Sequence, residues 1–317
     1  MVERKEELLR VGVVGAGALG CFFGSRLILA GHHVAMIARG PALDAISREG
    51  IQTAGVDGSD VAIPAQVTSD PTGVGSVDAV LLTVKAWQVE EAAEGLRPLL
   101  SPSTRVLPLQ NGVEAMDQLI GVLGEDHPLG GLSRIVCALE APGRVRHVAL
   151  RPTVALGEPR GGLLSQSARS IAEALERAGI AVERPVSIRA SLWEKFVLIA
   201  AVSGVGAATR APVGEMWNCS ESRTLLVHLM EEVAAVAGAR GVELAEGVVE
   251  RTLAFVQAMP PHSTTSMQRD VLEGRPSEVE AIIGALTRYG RASGVPTPVA
   301  DAIYGSLLPQ EIRARRG

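Results

Sequence analysis

The chain has 317 residues, of which 47% are hydrophobic, so it can form two domains and bury a substantial core. Its net charge of −5 and its few aromatic residues argue against a nucleic-acid surface, which needs clustered positive charge or stacking rings. No uncharged apolar run is long enough to span a bilayer, and residues 1–7 are charged, unlike a signal peptide. We therefore expect a cytoplasmic protein with neither a nucleic-acid nor a membrane partner.

The cysteines and histidines do not form a recognisable metal or disulfide pattern. The three cysteines (Cys21, Cys137 and Cys219) are odd in number and far apart, so they predict neither a disulfide framework nor a C-x-x-C site. The six histidines lack the spacing of metal ligands. We expect a reduced protein without a metal ion.

The first elements predict a nucleotide-binding unit. Residues 11–14 are apolar or small, as in a buried strand, and three glycines with G-x-G-x-x-G spacing follow. Glycines in this pattern allow a tight turn, a close approach of the backbone to a pyrophosphate, and close helix packing. The next helix is expected to end at Gly31, and residues 33–37 are expected to form a second strand. The predicted cofactor-binding residues are Gly15, Ala16, Gly17, Ala18, Leu19 and Gly20; a glycine turn in an ordinary α/β protein is the alternative.

The residue after the second strand indicates which dinucleotide binds. An NAD site usually has an acidic residue about 20 positions beyond the glycines. Here the strand leads into Arg39, and no carboxylate occurs before Asp44. A guanidinium group can hold a 2′-phosphate through paired, charge-assisted hydrogen bonds. Arg39 therefore predicts NADP(H), and an exposed arginine that opens a loop is the alternative.

Two polar residues follow later strands of the same predicted sheet. Residues 77–84 form a buried type of strand that ends at Lys85, and residues 104–109 form another that precedes Asn111. Ligands of doubly wound sheets bind at the carboxyl ends of the strands. Lys85 and Asn111 are therefore predicted to line one crevice with the glycine loop. A solvated lysine and a plain Asn-Gly turn are the alternatives.

The rest of the chain divides into a mixed part and a helical part. Residues 135–139, 144–150 and 153–156 are expected to form an antiparallel extension of the sheet, followed by a helix at 163–178 and a strand at 180–183. From about residue 185, helical periodicity dominates, at 187–208, 220–240, 245–257, 277–293 and 297–308. We predict an α/β fold with an N-terminal Rossmann domain (a doubly wound, mostly parallel sheet) at 1–185 and an all-α C-terminal domain at 186–317.

One lysine of the helical part lies in an apolar stretch. Eight uncharged residues follow Lys195, and burial of an ammonium there costs several kcal/mol unless the group is paired or loses its charge. A lysine in this setting can donate a proton to a carbonyl oxygen as a hydride reaches the carbon. The neighbouring residues Leu192, Trp193 and Phe196 are expected to belong to the core.

Taken together, these motifs resemble those of the ketopantoate reductase (2-dehydropantoate 2-reductase) family over nearly the whole chain. The most specific pieces are the Lys-Ala-Trp-Gln run that begins at Lys85 and the Ser-Met-x-x-Asp run that begins at Ser266. The further pieces are the glycine loop, Arg39, Asn111-Gly112, Trp193-Glu194-Lys195, and Glu278, twelve residues beyond Ser266.

The resemblance implies NADPH-dependent reduction of a 2-keto acid to a 2-hydroxy acid in a cleft between the two domains. It implies that Arg39 holds the 2′-phosphate and that Lys195 is the general acid. It further implies that Ser266 binds the carboxylate end of the substrate. The remaining implied site residues are Lys85 and Asn111, which line the cofactor and substrate crevice, and Glu278, which supports the lysine or the nicotinamide ribose.

Three positions depart from the family pattern, and they bear on the substrate. The family has asparagines four and eight residues after its lysine and three before its serine, where this chain has Ile199, Ser203 and Ser263. Each unmade hydrogen bond to a buried group costs roughly 1–3 kcal/mol. The substrate is therefore either ketopantoate, in pantothenate biosynthesis, or another ketone or keto acid.

Two other functional classes stay open at this point, as does the oligomeric state. One class is an NADP(H)-binding relative with altered or lost catalysis that acts as a sensor or scaffold. The other is a dehydrogenase of the β-hydroxyacid type, which shares the architecture and the helix lysine. The apolar face formed by Leu225, Leu226, Leu229, Met230 and Val233 allows a homodimer, although core packing explains most of it.

Overall fold

The computed structural model describes residues 8–55 and 59–316. The chain forms two compact units, of which the first contains the residues up to Gln110 and Ala115–Ile188. The second contains Asn111–Glu114 and the residues from Arg189 onward. The charged residues 1–7, on which part of the localisation prediction rests, lie outside the described residues.

The first unit alternates strands and helices along the chain. Its strands are β1 (Arg10–Val14), β2 (His33–Ile37), β3 (Ile51–Ala54), β4 (Asp60–Ile63), β5 (Gln66–Thr68), β6 (Ala79–Leu82), β7 (Arg105–Pro108), β8 (Gly130–Ala141), β9 (Arg144–Gly157) and β10 (Ala181–Glu183). Its helices are α1 (Ala18–Leu29), α2 (Gly40–Glu49), α3 (Val89–Glu94), α4 (Ala115–Leu123) and α5 (Gln166–Arg177).

The nucleotide-type sheet has five strands in the order β5-β2-β1-β6-β7. All four pairings between these strands are parallel. Strands of such a sheet are covered on both faces, which is why β1 and β6 are almost continuously apolar and buried. Helix α1 covers one face with fully buried Phe23 and Leu27. The predicted doubly wound parallel sheet is confirmed.

The strands between residues 130 and 157 do not extend that sheet, so this part of the prediction was wrong. They form a second five-stranded sheet, in which β9 pairs with β10, with β3 and with β8, and β3 pairs with β4. Strand β9 is 14 residues long. Its start pairs with β3 and its end with β10, both in parallel, whereas β8 pairs with it antiparallel. Strand β9 therefore pairs with a hairpin that comes much earlier in the chain as well as with its neighbours in sequence.

In the second unit, the described regular elements are helices, joined by loops. Its helices are α6 (Ile188–Thr209, whose first residue falls in the first unit), α7 (Val213–Asn218), α8 (Ser220–Ala239), α9 (Val248–Ala258), α10 (Ser266–Leu272), α11 (Ala285–Ser293) and α12 (Pro298–Arg316). A π-helical turn, Glu280–Gly284, leads directly into α11. The short helices α7 and α10 were not predicted, and α12 continues past Pro309, where the predicted helix stops at residue 308.

Helix α6 is the central apolar helix of this unit. Among the described helices it is the one whose length and composition would suit a membrane span, but 67% of its apolar window is buried in the protein. The Trp193 and Phe196 rings meet edge to face, with centroids 5.6 Å apart. Together with Leu192 they are buried, as predicted for core residues. Helix α6 is therefore built into the protein core.

Candidate functional site

The glycine loop between β1 and α1 combines close packing with open space. Gly15 has a φ of +103°, and a Cβ there would lie 2.8 Å from the backbone N of Val84. A Cβ at Gly20 would collide with the carbonyl oxygen of Gly15. A Cβ at Gly17, by contrast, would meet nothing within 4 Å. Two of the glycines are thus required for packing, and the third leaves room for a ligand.

The N-terminal end of α1 fits a dinucleotide pyrophosphate. Gly17 is the N-cap, no side chain caps the helix, and the first turn contains no acidic residue. The N–H groups of a helix's first turn, together with the positive end of its dipole, favour an anion. Open space at Gly17 next to uncapped N–H groups is the arrangement that a pyrophosphate needs.

Two buried polar side chains fix the carboxyl edge of the sheet. Thr83 Oγ1 donates to the carbonyl of Gly15 at 2.7 Å. Gln110 Nε2 donates to the carbonyls of Leu82 and Val84, at 2.9 and 3.1 Å. Neither residue was predicted from the sequence, although a polar residue directly after a buried strand was a usable signal. They hold the ends of β6 and β7 in register with the glycine turn.

Lys85 lies at this same edge of the first unit. Its side chain is exposed, and its Nζ is 5.8 Å from the centroid of the Trp87 ring. Its backbone N–H donates to Gln88 Oε1 at 3.3 Å, which begins the helical turn before α3. The structure therefore places Lys85 at the strand end where the sequence predicted it, while its role in binding stays a prediction.

Arg39 follows β2 and is the N-cap residue of α2. Its Nη1 is 3.2 Å from Glu91 Oε1, and the two side chains are 80% and 70% exposed. An exposed ion pair contributes about 0–1 kcal/mol, because water and salt screen it. A guanidinium forms stronger paired hydrogen bonds with a phosphate than with a single exposed carboxylate, and the 2′-phosphate contact of Arg39 stays a prediction.

Three of the predicted site residues meet in the second unit. Lys195 Nζ donates to Asn111 Oδ1 at 3.0 Å, and Asn111 Nδ2 donates to Glu278 Oε2 at 3.3 Å. An ammonium group can only donate hydrogen bonds, and a carboxylate can only accept them. The amide must therefore turn its oxygen to the lysine and its nitrogen to the glutamate. The Asn111 amide therefore connects Lys195 with Glu278, and the roles of the three residues in catalysis and cofactor binding stay predictions.

The substrate-side candidates differ in their surroundings. Ile199 and Ser203 lie one and two turns after Lys195 on the same face of α6. Ile199 is half-buried, and Ser203 is buried. Ser263 has a structural backbone role, since its carbonyl accepts from the N–H of Val213 at 3.0 Å. Ser266 is exposed at the start of α10. Substrate contacts of all four residues stay predictions.

Two of the three cysteines, Cys21 and Cys137, have thiols of low reactivity. Burial, with a smaller effect of Cys137, raises the pKa of Cys21 to about 12, and burial raises the pKa of Cys137 to about 11. Both thiols are therefore protonated at neutral pH, and a protonated thiol is a poor nucleophile. Within residues 8–55 and 59–316, no group of three or more His, Cys, Asp and Glu side chains could hold a metal ion.

Comparison with protein families gives a match to both parts of the chain. The model described as "Ketopantoate reductase PanE/ApbA" matches residues 11–161, and that described as "Ketopantoate reductase PanE/ApbA C terminal" matches residues 187–311. Among curated proteins, the 2-dehydropantoate 2-reductase of Mesorhizobium japonicum is 28% identical over 330 residues, covering 98% of this chain and 99% of the relative.

Solved structures show the same similarity. The PanE/ApbA family ketopantoate reductase from Ralstonia eutropha is 30% identical, with a TM-score of 0.88 and coverage of 96% of this chain and 99% of that one. D-mandelate dehydrogenase, solved with NADH and anilino(oxo)acetate, is 23% identical, with a TM-score of 0.86 and coverage of 96% and 99%. At that identity the likeness to D-mandelate dehydrogenase shows a shared fold.

Proposed function

This chain belongs to the ketopantoate reductase family, and we propose that it reduces the keto group of a small 2-keto acid to a hydroxyl group with NADPH as the reductant. Family membership supports the reduction of a 2-keto acid to a hydroxy acid. The observation that carries the catalytic part is the hydrogen bond of 3.0 Å between Lys195 Nζ and Asn111 Oδ1. It gives an ammonium group on an apolar helix a fixed direction.

Lys195 is the general acid in this proposal. Bound NADPH would supply the hydride that adds to the keto carbon. The keto oxygen gains negative charge as the hydride arrives, and an ammonium group within hydrogen-bond reach stabilises that charge and transfers a proton to the oxygen. The lysine is left neutral and regains its proton from solvent, so charge and protons balance.

Asn111 and Glu278 position the acid. Glu278 accepts from Asn111 Nδ2, so the amide is kept from rotating and keeps its oxygen towards Lys195 Nζ. A long lysine side chain has considerable rotamer freedom, and a fixed acceptor restricts it. The ammonium is therefore oriented before the substrate arrives, which is how a positioned acid lowers the barrier.

NADPH rather than NADH is the proposed reductant because of Arg39. D-mandelate dehydrogenase, which has the same fold, was solved with NADH, so fold alone does not decide between the two cofactors. In this chain Arg39 lies two residues after the end of β2, and its guanidinium pairs with the exposed Glu91. In the proposal the 2′-phosphate displaces Glu91 and takes two hydrogen bonds from the guanidinium.

The substrate is proposed to be a 2-keto acid with few polar groups beyond the keto acid itself. The position one turn after Lys195 is apolar Ile199, and the position two turns after it is the buried Ser203. An apolar pocket wall cannot pair additional hydroxyl groups of a substrate, and unpaired buried groups lower affinity. Ketopantoate has such a hydroxyl group, so a role in pantothenate synthesis follows only if ketopantoate is the preferred substrate.

A substrate panel tests the proposal. Purified protein is incubated with NADPH and with ketopantoate or 2-keto acids of similar size that lack its hydroxyl group, and the loss of NADPH absorbance is followed. We expect turnover of at least one keto acid. Tight NADPH binding without any turnover would instead favour the sensor or scaffold class. Oxidation of 3-hydroxy acids with NADP⁺, without 2-keto acid reduction, would favour the β-hydroxyacid class.

We further propose that the protein acts in the cytoplasm as a homodimer. The homodimer proposal rests on Leu225, the exposed residue of the apolar face of α8, since the other members of that face are buried in the core: Leu226, Leu229, Met230 and Val233. Cell fractionation tests the location, and light scattering on the purified protein tests the homodimer.

A further inference from the structure

A network of charged and hydrogen-bonding side chains lies beside the segment Asn111–Glu114. Arg288 Nη2 donates to both carboxylate oxygens of Glu114, at 3.2 and 3.1 Å. Arg288 Nη1 donates to Glu280 Oε2 at 3.0 Å, and Nη2 donates to the Glu280 carbonyl at 3.1 Å. The Tyr304 hydroxyl donates to Glu280 Oε1 at 2.5 Å. One guanidinium group thus bridges the segment and the π-helical turn.

Gly284 and Tyr304 lie next to this network, and both suit it. Gly284, the last residue of the π-helical turn, lies beneath it, and a Cβ there would be 2.8 Å from Glu280 Oε2 and 3.1 Å from Arg288 Nη1. Burial and the hydrogen bond to Glu280 raise the pKa of Tyr304 to about 12, so its hydroxyl stays a donor at neutral pH. π-Helical turns occur frequently at functional sites, which agrees with this location.

Both ends of the segment Asn111–Glu114 contact residues 278–288. At its start, the Asn111 side chain donates to Glu278. Next, Gly112 has a φ of +98°, and a Cβ there would be 3.0 Å from the carbonyl oxygen of Ala281. At its end, Glu114 accepts from Arg288. Since a four-residue segment is short, the attachment of Glu114 restricts the backbone that carries Asn111.

We propose that Arg288 is a positioning residue that, by bridging Glu114 and Glu280, fixes Asn111 between Lys195 and Glu278. Its catalytic consequence rests on the proposed function, because it requires Lys195 to be the acid. Arg288 acts through Glu114 and the backbone of the segment. In this proposal Lys195, and not Arg288, contacts the reacting atoms. Loss of the bridge lets the Asn111 amide move away from the ammonium, so the acid loses its orientation.

The first test measures kcat and KM in Arg288→Met and Glu114→Gln. The matched control is Arg291→Met, which removes the same charge from an exposed arginine of α11 that pairs with Asp301 at 3.0 Å. We expect kcat to fall roughly tenfold to a hundredfold in both test variants, because displacement of a catalytic group by about 1 Å has effects of this size. KM for NADPH stays within about twofold of the control. Arg288→Lys recovers part of kcat, since an ammonium keeps the charge but loses the planar fork.

The second test needs no turnover and follows hydrogen–deuterium exchange at the backbone amides of residues 111–114. We expect faster exchange in Arg288→Met, in Glu114→Gln and in Gly284→Ala than in Arg291→Met. Gly284→Ala retains every charge and crowds the ends of the Glu280 and Arg288 side chains together with the Tyr304 ring, whose Cε2 would lie 3.0 Å from the added Cβ. This variant therefore separates loss of geometry from loss of charge.

The two tests have distinguishable outcomes. Unchanged exchange in these variants overturns the positioning role, whatever happens to kcat. Faster exchange with a kcat equal to that of Arg291→Met also overturns it. If exchange is faster in the variants but the wild-type protein reduces no keto acid, Arg288 still fixes the segment. In that case the proposed function is refuted instead.

Discussion

Lys195 Nζ donates a hydrogen bond of 3.0 Å to Asn111 Oδ1, although 84 residues separate the two in sequence. Glu278, 167 residues beyond Asn111, accepts from the other end of the same amide. A single asparagine therefore connects an ammonium group with a carboxylate and sets the direction of both hydrogen bonds.

Lys195→Ala removes the proposed proton donor. We expect kcat to fall by at least roughly 10²–10⁴-fold, the range typical of a general acid. NADPH affinity should stay close to that of the wild type, because the glycine loop and Arg39 belong to the first unit. Lys195→Arg is the control: it keeps a positive donor, but a guanidinium does not give up a proton at neutral pH, so its kcat should also be low. A fully active Lys195→Ala variant that still binds NADPH excludes this residue as the acid.

Asn111→Ala tests whether the amide acts through the lysine. We expect kcat to fall about tenfold, consistent with the loss of one hydrogen bond to a charged group. In the Lys195→Ala background the same change should cost little more, because residues that act as a unit have non-additive effects. The measurement is kcat for the four proteins of the cycle. Additive losses would show that Asn111 acts on substrate or cofactor independently of Lys195.

The first sheet could be predicted from the sequence, and the second could not. The strands of a doubly wound sheet are apolar along their whole length, and β1 also leads into a glycine pattern with a specific spacing. By contrast, the sequence of β9 indicates a strand without saying which partners it has. Its partner β3 comes from a distant part of the chain, and its partner β10 follows it only after a helix.

Helix α12 illustrates a different limit of prediction. A proline inside a helix removes one backbone hydrogen bond and usually ends the helix. Here the helix continues past Pro309 because the residues around it are packed: Leu307 and Glu311 are buried, and Glu311 accepts from the N–H of Ser277. These tertiary contacts outweigh the local preference.

The family resemblance offered support of the lysine as one role of Glu278, but it did not predict that the Asn111 amide connects the two residues. The sequence indicated Lys195 because it lies in an apolar helix, Asn111 because it follows a strand, and Glu278 because it belongs to a family motif. No local pattern indicates that the asparagine lies between the other two, because the contacts span 84 and 167 residues. The bridge formed by Arg288 was missed for the same reason, since Glu114 is 174 residues away.

Arg39→Ala should change the choice between the two nicotinamide cofactors. We expect KM for NADPH to rise at least about tenfold, with little change for NADH, because charge-assisted hydrogen bonds contribute about 1.5–3 kcal/mol. Glu91→Gln is the matched control, since it releases Arg39 from an exposed ion pair that contributes about 0–1 kcal/mol. Its KM for NADPH should stay equal or fall. An equal rise of KM for both cofactors in Arg39→Ala would contradict a 2′-phosphate contact.

Glu232 should make stability depend on pH in a direction opposite to that of most carboxylates. Its side chain accepts from the N–H groups of Val299 and Ala300 at the start of α12, at 2.7 and 2.9 Å. Burial raises its pKa despite these hydrogen bonds. The folded state therefore binds the proton more tightly than the unfolded state, so stability falls as pH rises from the unfolded pKa through the folded one.

Thermal unfolding of Glu232→Gln between mildly acidic and neutral pH measures this effect. The stability of the variant relative to the wild type should increase with pH, by at most about 1.4 kcal/mol per pH unit for one proton. Glu231→Gln, at the exposed neighbouring position, provides the control and should show no such trend. A wild-type advantage that grows towards neutral pH would reverse the sign and contradict the assignment.

Gly17→Ala and Gly20→Ala should separate cofactor binding from folding within one loop. A Cβ at Gly20 would collide with the Gly15 carbonyl and lie 2.6 Å from Thr83 Oγ1. We expect Gly20→Ala to lose about 1–3 kcal/mol of stability, the usual cost of overpacking. A Cβ at Gly17 would meet nothing within 4 Å, so the stability of Gly17→Ala should fall by no more than about 1 kcal/mol, the cost of a poorer N-cap.

NADPH affinity should fall in Gly17→Ala, the variant whose stability is nearly unchanged. If the pyrophosphate occupies the open space at Gly17, the added methyl group blocks it, and Kd for NADPH should rise at least about tenfold in a protein that still folds. Calorimetric titration of NADPH gives Kd, and thermal unfolding of the same preparation without cofactor gives the stability. A Gly17→Ala variant that binds NADPH as tightly as the wild type would mean that the pyrophosphate does not lie over this glycine, because a methyl group and a phosphate cannot share the space.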